Sequence, residues 1–211
     1  MKRALLVVDV QNDFLSGGAL AVPHGDEVIA PINRLMRLPF NSIIATKDFH
    51  PANHCSFASR WQKKIGEYNN VEGITQLLWP DHCVQGLRGS EFGSHLDTSK
   101  INYIVLKGQN SEVDSYSAFY DNKHGSCTGL EKYLREKEIQ RIYVAGLATN
   151  FCVLYSVRDA ISLGFEVVVV TDACKGIEIT PGAVADAFTE MTKLGASLTT
   201  SHQILADWTT T

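Results

Sequence analysis

Residues 141–160 read RIYVAGLATNFCVLYSVRDA. Ile142, Tyr143, Val144 and Ala145 form an apolar run of β type, residues 146–150 are small and turn-prone, and beyond them Val153, Val157, Ala160 and Ile161 share one helical stripe. A strand that is apolar along its whole length and passes through a short turn into a helix is the building unit of a parallel sheet covered by helices. The same stretch sets Cys152 in the first helical turn. Free N–H groups and the positive end of the helix dipole favour a thiolate there and can hold an oxyanion. A buried free cysteine is also an ordinary apolar filler, so its reading as a nucleophile requires a base and a cation from elsewhere in the chain.

The alternation extends in both directions. Strands are expected at 5–10, 42–46, 102–106, 141–146, 166–171 and 197–200, and helices at 26–38, 128–137, 151–163 and 181–194. Gly164 and Gly195 stand where helices close, and Pro181 where one opens. Residues 51–99 show no convincing regular element, yet Trp61 and Trp79 argue against disorder, and structureless segments of this length are commonly functional. The pattern predicts an α/β, doubly wound, three-layer domain with a six-stranded, mostly parallel sheet, one domain over residues 1–211.

Composition narrows the partners. With 211 residues, 45% of them hydrophobic, the chain can bury one sizeable core, and a net charge of -4 leaves no basic stripe for nucleic acid. No stretch approaches the roughly 18 apolar residues of a membrane span. The apolar run after Met1-Lys2-Arg3 is interrupted by Asp9 and too short for a secretion signal. Five widely spread cysteines make a poor disulfide framework and fit a reducing cytoplasm. No heptad seam or long apolar edge forces association, so a homo-oligomer stays an open expectation. A small molecule is the expected partner.

In doubly wound sheets ligands bind beyond the carboxyl ends of the strands. Asp9, Asp48 and Lys107 fall at three such ends and Cys152 just past a fourth. An apolar frame raises the pKa of Asp9 toward useful base strength while Lys107 lowers it, and an Asp, Lys and Cys set has the parts of an activated nucleophile. A second group lies in KDFHPANHC, with Asp48, His50 and His54, and in WPDHC, with His82. Asp-x-His at a strand end puts both side chains on one face. One carboxylate with two or three imidazoles suits a divalent transition metal such as zinc, iron or manganese, with Cys55 and Cys83 as rival ligands.

The segments LLVVDVQNDF, ATKDFHPANHCSF, WPDHCVQG, KGQNSEVDSYSAF and VAGLATNFCV, in this order, closely resemble those of the nicotinamidase branch of the isochorismatase-like cysteine hydrolases. The resemblance implies a triad of Asp9, Lys107 and Cys152, and one divalent metal ion (Zn, Fe or Mn) on Asp48, His50 and His82, with His54 as a further ligand in some members. It also implies a cis peptide before Ala148, whose N–H joins that of Cys152 in an oxyanion hole, and a pocket lined by Phe14, Leu20, Trp79 and Tyr116. The implied activity is hydrolysis of nicotinamide to nicotinate and ammonia through a thioester, with pyrazinamide as a second substrate. Amidases of the superfamily that act on carbamoyl or ureido compounds, and a non-catalytic metal-binding relative, are the alternatives. Asn150 and Phe151 stand where many members carry Asp followed by Tyr or His, a difference that bears on the shape of the pocket.

Overall fold

The structure is a computed structural model and describes residues 1–209. Its elements run, in chain order, β1 (Lys2–Val8), α1 (Ile29–Leu35), β2 (Ser42–Asp48), β3 (Tyr68–Val71), β4 (Ile74–Leu77), β5 (Tyr103–Lys107), α2 (Leu130–Glu136) and β6 (Ile139–Leu147). There follow α3 (Leu154–Ser162), β7 (Glu166–Lys175), α4 (Ala183–Leu194), β8 (Ser197–Thr199) and α5 (Ser201–Thr209). The main sheet has the order β5-β2-β1-β6-β7-β8, and every neighbouring pair in it is parallel.

Period two explains the layers. Ala4, Leu6 and Val8 of β1 face one side of the sheet and join Leu130 and Leu134 of α2, Val157 of α3 and Met191 of α4. Leu5 and Val7 face the other side and join Ile29 and Ile32 of α1 and Ile204 of α5. Burying each of these side chains contributes about 1.5–3 kcal/mol, and two covered faces explain why the central strands carry no polar alternation. The chain crosses from one side of β1 to the other when it enters β6, so the strand order reverses between β1 and β6. Asp9 and the turn after β6 lie at that switch point, where crevices form in sheets of this kind.

Several expectations are corrected. The helix expected over 26–38 is a 3-10 turn, Gly25–Val28, followed by the shorter α1, and the one expected from Pro181 begins at Ala183 after Gly182. The helix expected over 151–163 begins at Leu154. Thr149–Val153 forms a wider, π-type turn in which Val153 N–H donates to Ala148 O at 3.2 Å. The region 51–99 is not without regular structure, since β3 and β4 form an antiparallel hairpin closed at Glu72 and Gly73, both at positive φ. Four-residue strands with mostly exposed or half-exposed side chains give too little alternation to stand out. The helix α5 had no counterpart in the expected pattern. Among the described residues no helix is long and apolar enough to cross a membrane.

Candidate active site

Lys107 is the hub. It ends β5, its side chain is fully buried, and its ammonium lies 2.8 Å from Asp9 Oδ2, 3.3 Å from Cys152 Sγ and 3.1 Å from the carbonyl of Ser115. It also donates to Asp48 Oδ1. Asp48 and Lys107 are direct register partners in β2 and β5, which is why these two groups meet. Asp48 thereby belongs to both groups of residues: one oxygen faces Lys107 while the other lies 3.6 Å from His50 Nε2 and 3.9 Å from His82 Nε2.

Asp9 follows the last residue of β1 with φ of 48°, a left-handed conformation that Asp tolerates better than most residues. The Thr46 hydroxyl donates to Asp9 Oδ1 and accepts the Asp9 N–H at 3.1 Å. Burial raises the Asp9 pKa above the ordinary carboxylate value, and Lys107 opposes that rise. Cys152 is 6% exposed in the wide turn before α3. Burial pushes its thiol well above the ordinary value, Lys107 works the other way, and the nearby Asp9 and Asp48 carboxylates add to the rise. Burial thus favours the thiol form here, which agrees with the need for a base that the sequence implied. Ligand atoms of Asp9, Asp48 and Cys152 lie within 4.8 Å of one another. Burial works against the charge on Lys107, but Asp48 and Asp9 outweigh it and raise its pKa.

Donor atoms of Asp48, His50 and His82 also come within 4.8 Å of one another, all of them buried. His50 Nδ1 pairs with Gly108 O and His82 Nδ1 with Pro80 O, each at 2.8 Å. With protons on Nδ1, the Nε2 atoms are the ones turned toward Asp48, the position from which metal-binding histidines offer a lone pair. Burial holds His82 down to about 4 and His54 down to about 4, so both stay neutral. Burial works against a charged His50 as well, but Asp48 beside it outweighs that and raises its pKa. Asp48 itself is drawn below the ordinary value against the effect of burial, chiefly by Lys107 and His50. A carboxylate with two such imidazoles fits a divalent transition metal.

His54 lies elsewhere in this arrangement. It stacks on His50 with ring centroids 4.0 Å apart and groups with His50 and Asp114, and its buried Nε2 has no partner among the described residues. Cys55 and Cys83 join no cluster of metal-binding donors among the described residues; burial pushes Cys55 up to about 12 and Cys83 well above the ordinary value.

Phe14, Leu20, Trp79 and Tyr116 line a cleft together with His82 and Cys152. Asp48, Ala148, Phe151 and Ile177 complete its wall. The Leu147–Ala148 peptide bond is cis. Trp79 Nε1 donates to the Tyr116 hydroxyl at 3.1 Å, and the Trp79 ring packs edge-on against Phe151.

Four supporting residues were not singled out from the sequence. Gln11 grips Asp48 through its backbone, accepting its N–H and donating to its carbonyl at 2.8 Å each, and donates also to Ser90 O at 2.9 Å. Asp13 accepts the Cys83 N–H at 2.7 Å and so anchors the loop that carries His82. Thr46 and Asp114 act from the end of β2 and from the loop after β5. A polar residue inside an apolar strand, as in Ile-Ile-Ala-Thr, was the available signal for Thr46.

A model of the isochorismatase domain matches residues 3–203. The nicotinamidase of Escherichia coli is 46% identical over 209 residues, 98% of this chain and 96% of that protein. A protein of L. infantum solved in complex with nicotinate is 35% identical, with a TM-score of 0.83 over 95% of this chain and 93% of that one. A pyrazinamidase of Pyrococcus horikoshii solved in complex with zinc is 37% identical, with a TM-score of 0.77 over 95% of this chain and 99% of that one. A domain match over nearly the whole length, on this sheet order, leaves one assignment: the chain belongs to the isochorismatase family.

Proposed function

We propose that this protein hydrolyses nicotinamide to nicotinate and ammonia, with Cys152 as nucleophile, Asp9 as proton carrier and Lys107 as the cation that holds them together. The observation that carries the reading is the single ammonium of Lys107 within hydrogen-bonding reach of both Asp9 and Cys152, with Cys152 itself lining an aromatic cleft. A relative named nicotinamidase at 46% identity, and a similar protein solved with nicotinate, support the same substrate.

The chemistry follows from the charges. Cys152 rests as a thiol, and Asp9, its pKa raised by burial, takes the thiol proton as the sulfur attacks the carboxamide carbon. The new oxyanion is received by the backbone N–H groups of Ala148 and Cys152. Asp9 then gives its proton to the leaving nitrogen, ammonia departs and a thioester remains. Asp9 next takes a proton from water as that water attacks the thioester carbon, and nicotinate leaves with the thiol restored. Lys107 stays protonated throughout, since Asp9 and Asp48 both favour its charge.

Asp48, His50 and His82 would hold one divalent ion, zinc, iron or manganese, beside His54, whose donor atoms group with His50 and Asp114. Such an ion would supply a Lewis acid for the ring nitrogen, and the carboxamide would then face Cys152. Phe14, Leu20, Trp79 and Tyr116 enclose the flat ring, and pyrazinamide, which keeps a ring nitrogen in the same relation to its carboxamide, is the second substrate. Five cysteines without a disulfide suit the cytoplasm.

Purified protein is expected to release ammonia and nicotinate in equal amounts from nicotinamide, and Cys152→Ala to release neither. Nicotinate release that survives in Cys152→Ala refutes the covalent route. Elemental analysis should show about one divalent ion per chain, strongly reduced in His82→Ala. Full occupancy in that variant removes His82 from the ligand set.

A further inference from the structure

Asn150 lies two residues before Cys152, and its side chain makes two hydrogen bonds to a single residue across the site. Its Nδ2 donates to the carbonyl of Ile177 at 2.9 Å, and its Oδ1 accepts the Ile177 N–H at 3.1 Å. Ile177 belongs to the connection between β7 and α4 and lines the cleft beside Phe151 and Cys152. The preceding residue, Gly176, approaches the turn as closely as a backbone can: a Cβ there would sit 2.7 Å from Asn150 Oδ1 and 2.7 Å from Val184 Cγ2.

We infer that Asn150 is a positioning residue: it pins Ile177 as a fixed wall of the cleft and so sets how closely the site grips the substrate ring. The inference rests on the nicotinamide reading for its ligand, but its geometry is independent of it. Only an amide meets both backbone groups of Ile177. A carboxylate in the same place keeps the acceptor, loses the donor and sets two oxygens against each other across the former hydrogen bond. Because the clamp starts from the turn that carries the nucleophile, wall and sulfur are held in one frame. A loose wall lowers grip on the ring more than it disturbs Asp9, Lys107 or Cys152, none of which touches Ile177 through a hydrogen bond.

The test is a double-mutant cycle of Asn150→Asp and Ile177→Ala with two readouts. In steady-state kinetics with nicotinamide, Asn150→Asp should raise KM about five-fold, the worth of one hydrogen bond, with a smaller change in kcat. Ile177→Ala should raise KM comparably, and the double variant no further, because both changes remove the same wall. The second readout, iodoacetamide alkylation of Cys152 followed by mass spectrometry, needs no substrate. It should quicken in each single variant and again show no further gain in the double. An unchanged KM and alkylation rate in Asn150→Asp, fully additive effects, or a fall in kcat as large as the rise in KM each overturn the inference. If the wild-type protein releases no nicotinate, the proposed function fails while the alkylation cycle still decides the clamp.

Discussion

Thr46 shows how one hydroxyl can set the working range of the site. It donates to Asp9 Oδ1, and a donor to a carboxylate favours the ionised form, so it offsets part of the rise that burial imposes on Asp9. The ionised form is the one that can take the thiol proton. Activity is therefore lost as pH falls through the Asp9 pKa, which lies above the ordinary carboxylate value. Thr46→Val removes the donor, raises that pKa further and should move the acid limb of the kcat/KM profile to higher pH, while Thr46→Ser restores it. An acid limb that stays in place in Thr46→Val would show that the limb belongs to another group. Gly108 is a steric counterpart, at φ of 65°: a Cβ there would lie 2.3 Å from His50 Cε1, so the close seat of the His50 ring against the Gly108 carbonyl requires glycine.

At the scale of elements, the hairpin of β3 and β4 is the least legible part of the sequence and yet it supports the cleft. Gln76 of β4 is 3% exposed and donates to Asp114 Oδ2 at 3.0 Å, to Leu77 O at 2.8 Å and to the Tyr116 hydroxyl at 3.3 Å. Tyr116 in turn accepts from Trp79, so the hairpin steadies two walls of the cleft. Gln76→Leu keeps the volume and removes the donors, leaving the buried Asp114 carboxylate short of one; the expected cost is about 1–3 kcal/mol. Urea unfolding should show that loss together with a raised KM for nicotinamide, and unchanged values for both would remove Gln76 from the support of the cleft. The central strands were readable because burial on both faces makes them continuously apolar, and their ends pointed to Asp9, Asp48 and Lys107. What sequence could not convey was which strand lies beside which. The pairing of Asp48 with Lys107 depends on β2 and β5 being neighbours in one register, and the clamp from Asn150 to Ile177 on the segments after the neighbouring strands β6 and β7 meeting.

For the molecule as a whole, the decisive contact is the one between β1 and β6, because it holds the two core faces together and carries Asp9 on one strand and the Cys152 turn on the other. Gly146 pairs with Val8 at φ of 126°, beside an irregularity in the register with β7. A Cβ there would stand 2.1 Å from the Val8 carbonyl oxygen and 2.7 Å from its nitrogen, and both are backbone atoms that no rotamer change can move. Gly146→Ala must therefore push β1 away from β6 at the residue next to Asp9. Two losses follow together: the sheet gives up pairing at its centre, at a cost of about 3 kcal/mol or more, and Asp9 withdraws from Cys152. Gly164→Ala is the control, since Gly164 also has positive φ but no atom near enough to meet a Cβ. It should cost about 1 kcal/mol and leave kcat unchanged, whereas Gly146→Ala should lower both the unfolding midpoint and kcat, measured above the midpoint of neither. Equal losses in the two variants would mean that backbone strain alone, and not the approach of β1 to β6, accounts for the glycine at 146.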